Sequence, residues 1–380
     1  MNKSRIGVVG CGVIGSFHVR SSVQSAYADA VAVADVNEAS AQALADKHGV
    51  AKVYGDAQKL FADPDVDGVV LALPANLRRR LALAALQAGK HVLIEKPAAL
   101  NDDEVQQIMA AQNGQVVMCC QNRYEFTPSA RAAARHVASG ALGKLRLVRV
   151  RGVTSPMKPP PAQPPVWRLR RDLNGGGIMA NWGCYDLHYM LSVLNWSVTP
   201  QTVMAQMWPI GGPFADYADP SSDAETHLLM FVRCADEVVI SFERAELLAT
   251  PPSKAWEIIG ENGTLVLEMT PGNEKQVVFY RRDPGNQGVT SDVIWSGEED
   301  GFMPHQGTLD AFALAIQRND GSPKPLRQAS FVQRLTDAAY QSSETGQTVT
   351  VDFTDHGAAL SPDEFEQVPT VALAEPPATD

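Results

Sequence analysis

The stretch Arg5-Ile6-Gly7-Val8-Val9-Gly10-Cys11-Gly12-Val13-Ile14-Gly15 decides the fold. It begins as an apolar strand and runs into a Gly-x-Gly-x-x-Gly turn that opens a helix. Gly10 permits a tight turn, Gly12 lets the backbone approach a pyrophosphate, and Gly15 lets the helix pack close to the strand. The first helical amides, at Val13 and Ile14, then face phosphates together with the positive end of the helix dipole. A lone motif of this kind is weak, but its place at the first strand-to-helix junction of a repeating pattern gives it weight.

That pattern extends outward. Strands are expected at Arg5–Gly10, Ala30–Asp35, Val66–Leu73, His91–Lys96 and Val116–Gln121, with helices at Val13–Gln24, Glu38–His48, Asn76–Ala88 and Asp102–Ala111. Gly49 and Gly89 close two of the helices, where a left-handed cap suits glycine. Strands buried on both faces and joined by helices make a doubly wound parallel sheet, the Rossmann arrangement. Asp35 ends the second strand, twenty residues past Gly15. A carboxylate there accepts hydrogen bonds from adenosine ribose hydroxyls and repels a 2′-phosphate. Val36 and its neighbours bring no arginine or lysine, so NAD is expected in preference to NADP.

From about Leu145 the texture changes. Leu145–Val153, His227–Arg233, Glu237–Arg244, Trp256–Ile259, Thr264–Glu268 and Gln276–Arg281 read as strands, with hairpin turns at Cys234-Ala235-Asp236 and Glu261-Asn262-Gly263. One helix interrupts them around Met179–Leu194, and two more follow at Thr308–Gln317 and Gln328–Ser343. The expectation is a Rossmann domain over 1–124 and an α+β domain with an open, mostly antiparallel sheet over 125–355. Met157–Pro165 is proline-rich and reads as a surface loop beside the site. Residues 356–380 read as a loose acidic tail.

At 380 residues, 45% hydrophobic and 20% charged, the chain suits two globular domains. A net charge of -11 argues against nucleic acid or an anionic membrane as partner. The chain has no apolar run of about 18 residues, and the first strand starts too early for a signal peptide. The five cysteines, Cys11, Cys119, Cys120, Cys184 and Cys234, show no metal spacing. These readings point to a cytoplasmic protein with reduced thiols and no metal. Cys119 and Cys120 should face opposite sides of their strand.

The succession of the glycine turn, Asp35, Leu73-Pro74-Ala75-Asn76, Gly89 to Glu95-Lys96-Pro97, Gly175-Gly176-Gly177 and Ser342 to Gly346 resembles the glucose–fructose oxidoreductase / inositol dehydrogenase / MocA family. The likeness runs from about residue 5 to Val351. It implies hydride exchange on hydroxyl or carbonyl carbons of sugars, cyclitols and related polyols, and assembly as a homodimer or homotetramer. It also implies cofactor contacts from Leu73, Pro74, Asn76, Glu95 and Lys96, and a reactive role for Lys96 beside the nicotinamide. A cation there stabilises a developing alkoxide, and Glu95 is expected to hold it by an ion pair. The family's usual aspartate and histidine, four residues apart, are replaced by Asn181 and Tyr185. Tyrosine at that position resembles the branch containing glucose–fructose oxidoreductase and xylose dehydrogenases. Asn181 cannot act as a base. Asn122 and Arg123 match a pair near the nicotinamide and substrate, and Trp167 and Arg168 a pair that faces polar ligands. Arg78 stands where the family has histidine, which leaves that position without an assigned role.

Helical spacing supports the reactive group independently. Asn181, Tyr185 and His188 fall at i, i+4 and i+7 on one face, while Leu187, Met190, Leu191 and Leu194 form an apolar stripe. Tyr185 is expected to take the alcohol proton while Lys96 stabilises the alkoxide, with His188 in reserve. Two other readings stay open: an enzyme that retains NAD and uses transient oxidation to cleave glycosides, and a non-catalytic dinucleotide or sugar sensor.

Overall fold

The computed structural model describes residues 2–155 and 163–353. The expected proline-rich loop lies largely outside those residues, and the expected acidic tail wholly so. The N-terminal strands are β1 (Ser4–Val9), β2 (Ala28–Ala34), β3 (Lys52–Tyr54), β4 (Gly68–Leu71), β5 (His91–Ile94) and β6 (Val117–Cys119). Between them run α1 (Val13–Gln24), α2 (Glu38–His48), α3 (Ala57–Phe61), α4 (Ala75–Gln87) and α5 (Asp102–Ala111). All pair in parallel in the order β3-β2-β1-β4-β5-β6. The order reverses between β1 and β4, and ligands bind outside the carboxyl ends of the strands at such a switch point. β3 and α3 escape the sequence pattern because three and five residues are too short to show a period. Cys119 joins the core on one face of this sheet and Cys120 the core on the other, as their adjacency predicts.

A 3₁₀ segment (Cys120–Phe126) leads out of β6 into α6 (Pro128–Ala138). Then come β7 (Leu145–Val153), α7 (Arg171–Asn174), a π-helical turn (Met179–Gly183) and α8 (Cys184–Val193). Strands β8 (Pro200–Pro209), β9 (Glu225–Cys234), β10 (Val239–Ala245), β11 (Ser253–Gly260), β12 (Gly263–Leu267), β13 (Lys275–Arg282) and β14 (Val289–Gly297) follow. The chain continues through α9 (Met303–Gln317) and α10 (Lys324–Thr345) to β15 (Val349–Thr350). The second sheet has nine strands in the order β14-β13-β12-β11-β7-β10-β9-β8-β15. It is antiparallel except where β7 and β10 run side by side in parallel. Both expected hairpins form. β8 and β14 were hidden from the sequence reading by proline flanks and by an exposed edge, and α6 by its alanine-rich, weakly apolar face.

All ten residues of α8 are buried, against one face of the second sheet and α10. The opposite face leaves Met204, Leu229 and Phe231 exposed. α9 and α10 return to the first sheet: Leu309 and Phe312 enter the core on the α1 side, Leu326 and Ala329 the core on the other. These helices tie both sheets together, α10 packing against β6, β8 and α8 and α9 against the segment after β6. Among the described residues no helix is long and apolar enough to cross a membrane.

Candidate active site

The glycine turn shows why each glycine is needed. Gly10 has φ +97°, and a Cβ there would lie 2.3 Å from the Ala72 carbonyl oxygen. A Cβ on Gly15 would lie 1.8 Å from the Gly10 oxygen, so helix and turn touch backbone to backbone. A Cβ on Gly12 would meet nothing within 4 Å, so this glycine borders open space. Gly12 is also the N-cap of α1, with no side chain capping it, and Val13 is 73% exposed. The amide end of α1 therefore faces a cradle of the kind that takes a phosphate.

Asp35 stands beside that cradle. Its Oδ2 accepts from the Cys11 amide at 2.7 Å and its Oδ1 from the Asn37 amide at 2.9 Å. The carboxylate is thus aimed by backbone, with lone pairs left for ribose hydroxyls. Asn37 also caps α2, its Oδ1 accepting from the Ser40 amide. Val36 is 94% exposed and offers no cation. Across the turn, Leu73 packs against Gly10, and the Asn76 Oδ1 is buried without a partner, an orphan that a bound ligand would satisfy. The residues present fit a dinucleotide. Cys11 is an inert thiol, pushed up to about 12 by burial and by Asp35.

The reactive end lies where β5 finishes. The Lys96–Pro97 peptide is cis. The ion pair expected between Glu95 and Lys96 is replaced by another. Glu95 Oε1 accepts from Arg123 at 2.7 Å and lies 2.8 Å from His18 Nε2, while Oε2 accepts from the Lys96 backbone amide at 3.0 Å. All three side chains are buried. Burial opposes the charged carboxylate, but Arg123 and His18 outweigh it and hold Glu95 well below the usual range.

Arg78, left without a role by the sequence, turns out to be buried beneath this turn. Its Nε donates to the Leu73 carbonyl at 2.8 Å, and its guanidinium also donates to the Pro97 carbonyl. It thus clamps the Leu73-Pro74 loop to the Lys96-Pro97 loop. A signal existed: arginine in the first turn of a helix opposes the dipole, so the side chain had to be engaged elsewhere. His18, from α1, is the other buried partner of Glu95.

The Lys96 amine crosses to the π turn. It donates to the Asn181 carbonyl at 2.7 Å and to Asn181 Oδ1 at 3.1 Å. It lies over the Tyr185 ring, 4.9 Å from the centroid, and the Arg123 guanidinium lies 5.3 Å from the same centroid. Both separations are within cation–π range. Lys96, Asn181, Tyr185 and Arg123 therefore form one cluster. Burial pushes the Lys96 amine down and the Tyr185 phenol up, the latter opposed by Arg123.

His188 takes no part in that cluster. Its Nε2 lies 2.8 Å from Glu125 and its Nδ1 3.2 Å from Gln121, so both ring nitrogens are engaged. The i+7 spacing assumed one continuous α-helix, whereas the π turn widens the start and separates His188 from Asn181. Asn122 is buried and its Oδ1 accepts from Thr308 at 3.3 Å. Arg168 pairs with Glu246 at 2.7 Å, and Trp167 beside it is 38% exposed.

Residues 4–122 match the profile of the GFO/IDH/MocA oxidoreductase family's NAD-binding Rossmann fold, and residues 130–266 match the family's C-terminal domain. Inositol 2-dehydrogenase of Acidothermus cellulolyticus is 30% identical over 266 residues, covering 69% of this chain and 72% of that protein. The chain belongs to this family. A second GFO/IDH/MocA relative, D-xylose 1-dehydrogenase (NADP(+)) 2 of Haloferax volcanii, is 28% identical over 91% of this chain and 99% of its own. For 1,5-anhydro-D-fructose reductase of Ensifer adhaerens, 30% identical over 193 residues, the match spans 57% of that protein and 50% of this chain. Levoglucosan dehydrogenase in complex with NADH shares the fold at a TM-score of 0.76 and 22% identity, over 92% of this chain and all of that one. Membership makes the chain an NAD-binding oxidoreductase.

Proposed function

We propose that the protein interconverts a secondary alcohol and its ketone on a sugar, cyclitol or related polyol by hydride exchange with NAD. The observation that carries this reading is the convergence of the Lys96 amine, Asn181 and the Tyr185 ring at the carboxyl edge of the parallel sheet. The relatives named above act, by their names, on inositol, xylose and anhydrofructose, all polyhydroxylated carbon skeletons.

When bound, NAD supplies the hydride acceptor. The chain's own residues do the rest. Gly12, Val13 and Ile14 receive the pyrophosphate, Asp35 reads the ribose, and Leu73, Pro74 and Asn76 line the passage to Glu95 and Lys96. Lys96 and Tyr185 flank the reacting oxygen, giving and taking its proton and stabilising alkoxide character. Arg123 Nε is buried without a partner, a donor left free for a ligand oxygen. Asn122, Arg123, Trp167, Arg168 and Asn181 orient the remaining hydroxyls. Asp35 with Val36 favours NAD over NADP. The exposed row Met204, Leu229 and Phe231 is the surface through which we infer the homodimer or homotetramer forms.

Free sugars, inositols and glycosides, followed by NADH absorbance, test the substrate class. Lys96→Ala is expected to abolish turnover while NAD binding survives; near-normal turnover would remove Lys96 from the chemistry. Glycosides that are cleaved with no NADH accumulating would replace simple dehydrogenation with the NAD-retaining cycle.

A further inference from the structure

Asn181 holds the Lys96 amine twice, through its backbone carbonyl and through its side-chain oxygen. One residue can do both because it sits in the widened π turn ahead of α8. Both acceptors are neutral. A neutral amine has two N–H donors and one lone pair, and an ammonium has three donors. Asn181 occupies two donors in either state. The charge of Lys96 is therefore expressed at one remaining position, a lone pair when neutral and an N–H when charged.

The Tyr185 ring face attracts a cation, but the charged groups around the amine favour the lone pair. Glu95 is the nearby carboxylate, and its oxygens are committed to Arg123, His18 and the Lys96 backbone amide. From α4, Arg78 brings a buried guanidinium that meets only carbonyls. Arg123 faces the cluster from the segment after β6, and Cys184 and Tyr185 face it from α8. A third buried cation among these groups has no carboxylate of its own, and desolvation disfavours it further.

We propose that Asn181 is a positioning residue that presents Lys96 to the reacting oxygen as a neutral amine, so that lysine takes the alcohol proton and Tyr185 acts as a hydrogen-bond donor. This reverses the division of labour expected from the sequence and its family resemblance. It rests on the alcohol–ketone reading above. In oxidation the O–H proton passes to the Lys96 nitrogen, giving ammonium. The C–H bonding pair leaves as hydride, for which NAD is the acceptor, and a ketone remains. The new ammonium then donates its third N–H to the ketone oxygen.

The test compares NAD-loaded wild-type, Asn181→Asp, Asn181→Ala and Tyr185→Phe proteins. The first measurement is acetylation of Lys96 by acetic anhydride as a function of pH, read by peptide mass spectrometry. Asn181→Asp sets a carboxylate against the amine and is expected to raise the labelling midpoint by about one to three pH units. Asn181→Ala adds no charge, is not expected to raise the midpoint, and guards against a misfolded aspartate variant. The second measurement is the acidic limb of kcat/KM for NADH formation. It is expected to move with Asn181→Asp and to stay in place in Tyr185→Phe while the rate falls. A midpoint unmoved by Asn181→Asp, or an acidic limb that disappears in Tyr185→Phe, would overturn the proposal. A shifted midpoint with no polyol oxidised would support the lysine assignment and sink the substrate class instead.

Discussion

Glu95→Gln isolates the buried pair on which the reactive turn is built. The Glu95 and Arg123 side chains are 4% and 6% exposed, and one carboxylate oxygen serves both Arg123 and His18. Glutamine removes the charge but not the geometry. Whichever way its amide is turned, an NH2 group faces either Arg123 and His18 or the Lys96 backbone N–H. Removing one partner of a buried ion pair costs about 3–5 kcal/mol, because the remaining charge is stranded. With a urea dependence of about 2 kcal/mol per molar, the midpoint should fall by about 1.5–2.5 M. Far-UV circular dichroism is the appropriate probe, since all six tryptophans lie between residues 167 and 295 and report the second domain. The pH dependence has a definite sign. The folded carboxyl is held below its ordinary value, so its contribution is present above the unfolded value and fades as pH falls through the folded one. The gap between wild type and variant should be constant at neutral pH and narrow in acid, below about pH 4.5. A loss under about 1 kcal/mol, or a gap that widens in acid, would refute the reasoning.

Three other outcomes are expected. Gly15→Ala should destabilise the protein, because its new methyl meets backbone, whereas Gly12→Ala should keep the wild-type melting temperature and lose NAD affinity; calorimetry and NAD titration separate the two. Asp35→Ala with Val36→Arg should raise the ratio of NADP to NAD use, and an unchanged ratio would show that Asp35 does not read the ribose. Burial raises Asp337 to about 6, against hydrogen bonds from the Asp102 amide and Gln333. Its contribution is therefore present in acid and lost as pH rises through that value, so Asp337→Asn should gain melting temperature relative to wild type on going from pH 4 to pH 7.

The glycine turn, Asp35 and the alternation around them were legible because each depends on neighbours close in the chain. Lys96, Asn181 and Tyr185 were legible from the resemblance, and the last two from helical spacing as well. What sequence could not supply was pairing at long range. Glu95 was assigned to its chain neighbour, whereas its partners stand 28 and 77 residues away. Arg78 was invisible as a clamp because its partners are backbone carbonyls, which every residue carries. His188 was placed beside Asn181 by a period of 3.6 that a single π turn interrupts.

The two helices that close the parallel sheet are the last long elements of the described chain, and this orders the protein's own manufacture. From Cys119, where that sheet ends, to Leu309, which seals one of its faces, a ribosome must add roughly 190 residues, about 10 to 40 s of elongation. Throughout that interval the nascent nucleotide-binding half has its own helices on both faces but lacks the apolar side chains that α9 and α10 add to each core. A truncated gene product ending before α9 is therefore expected to aggregate more readily than the full chain.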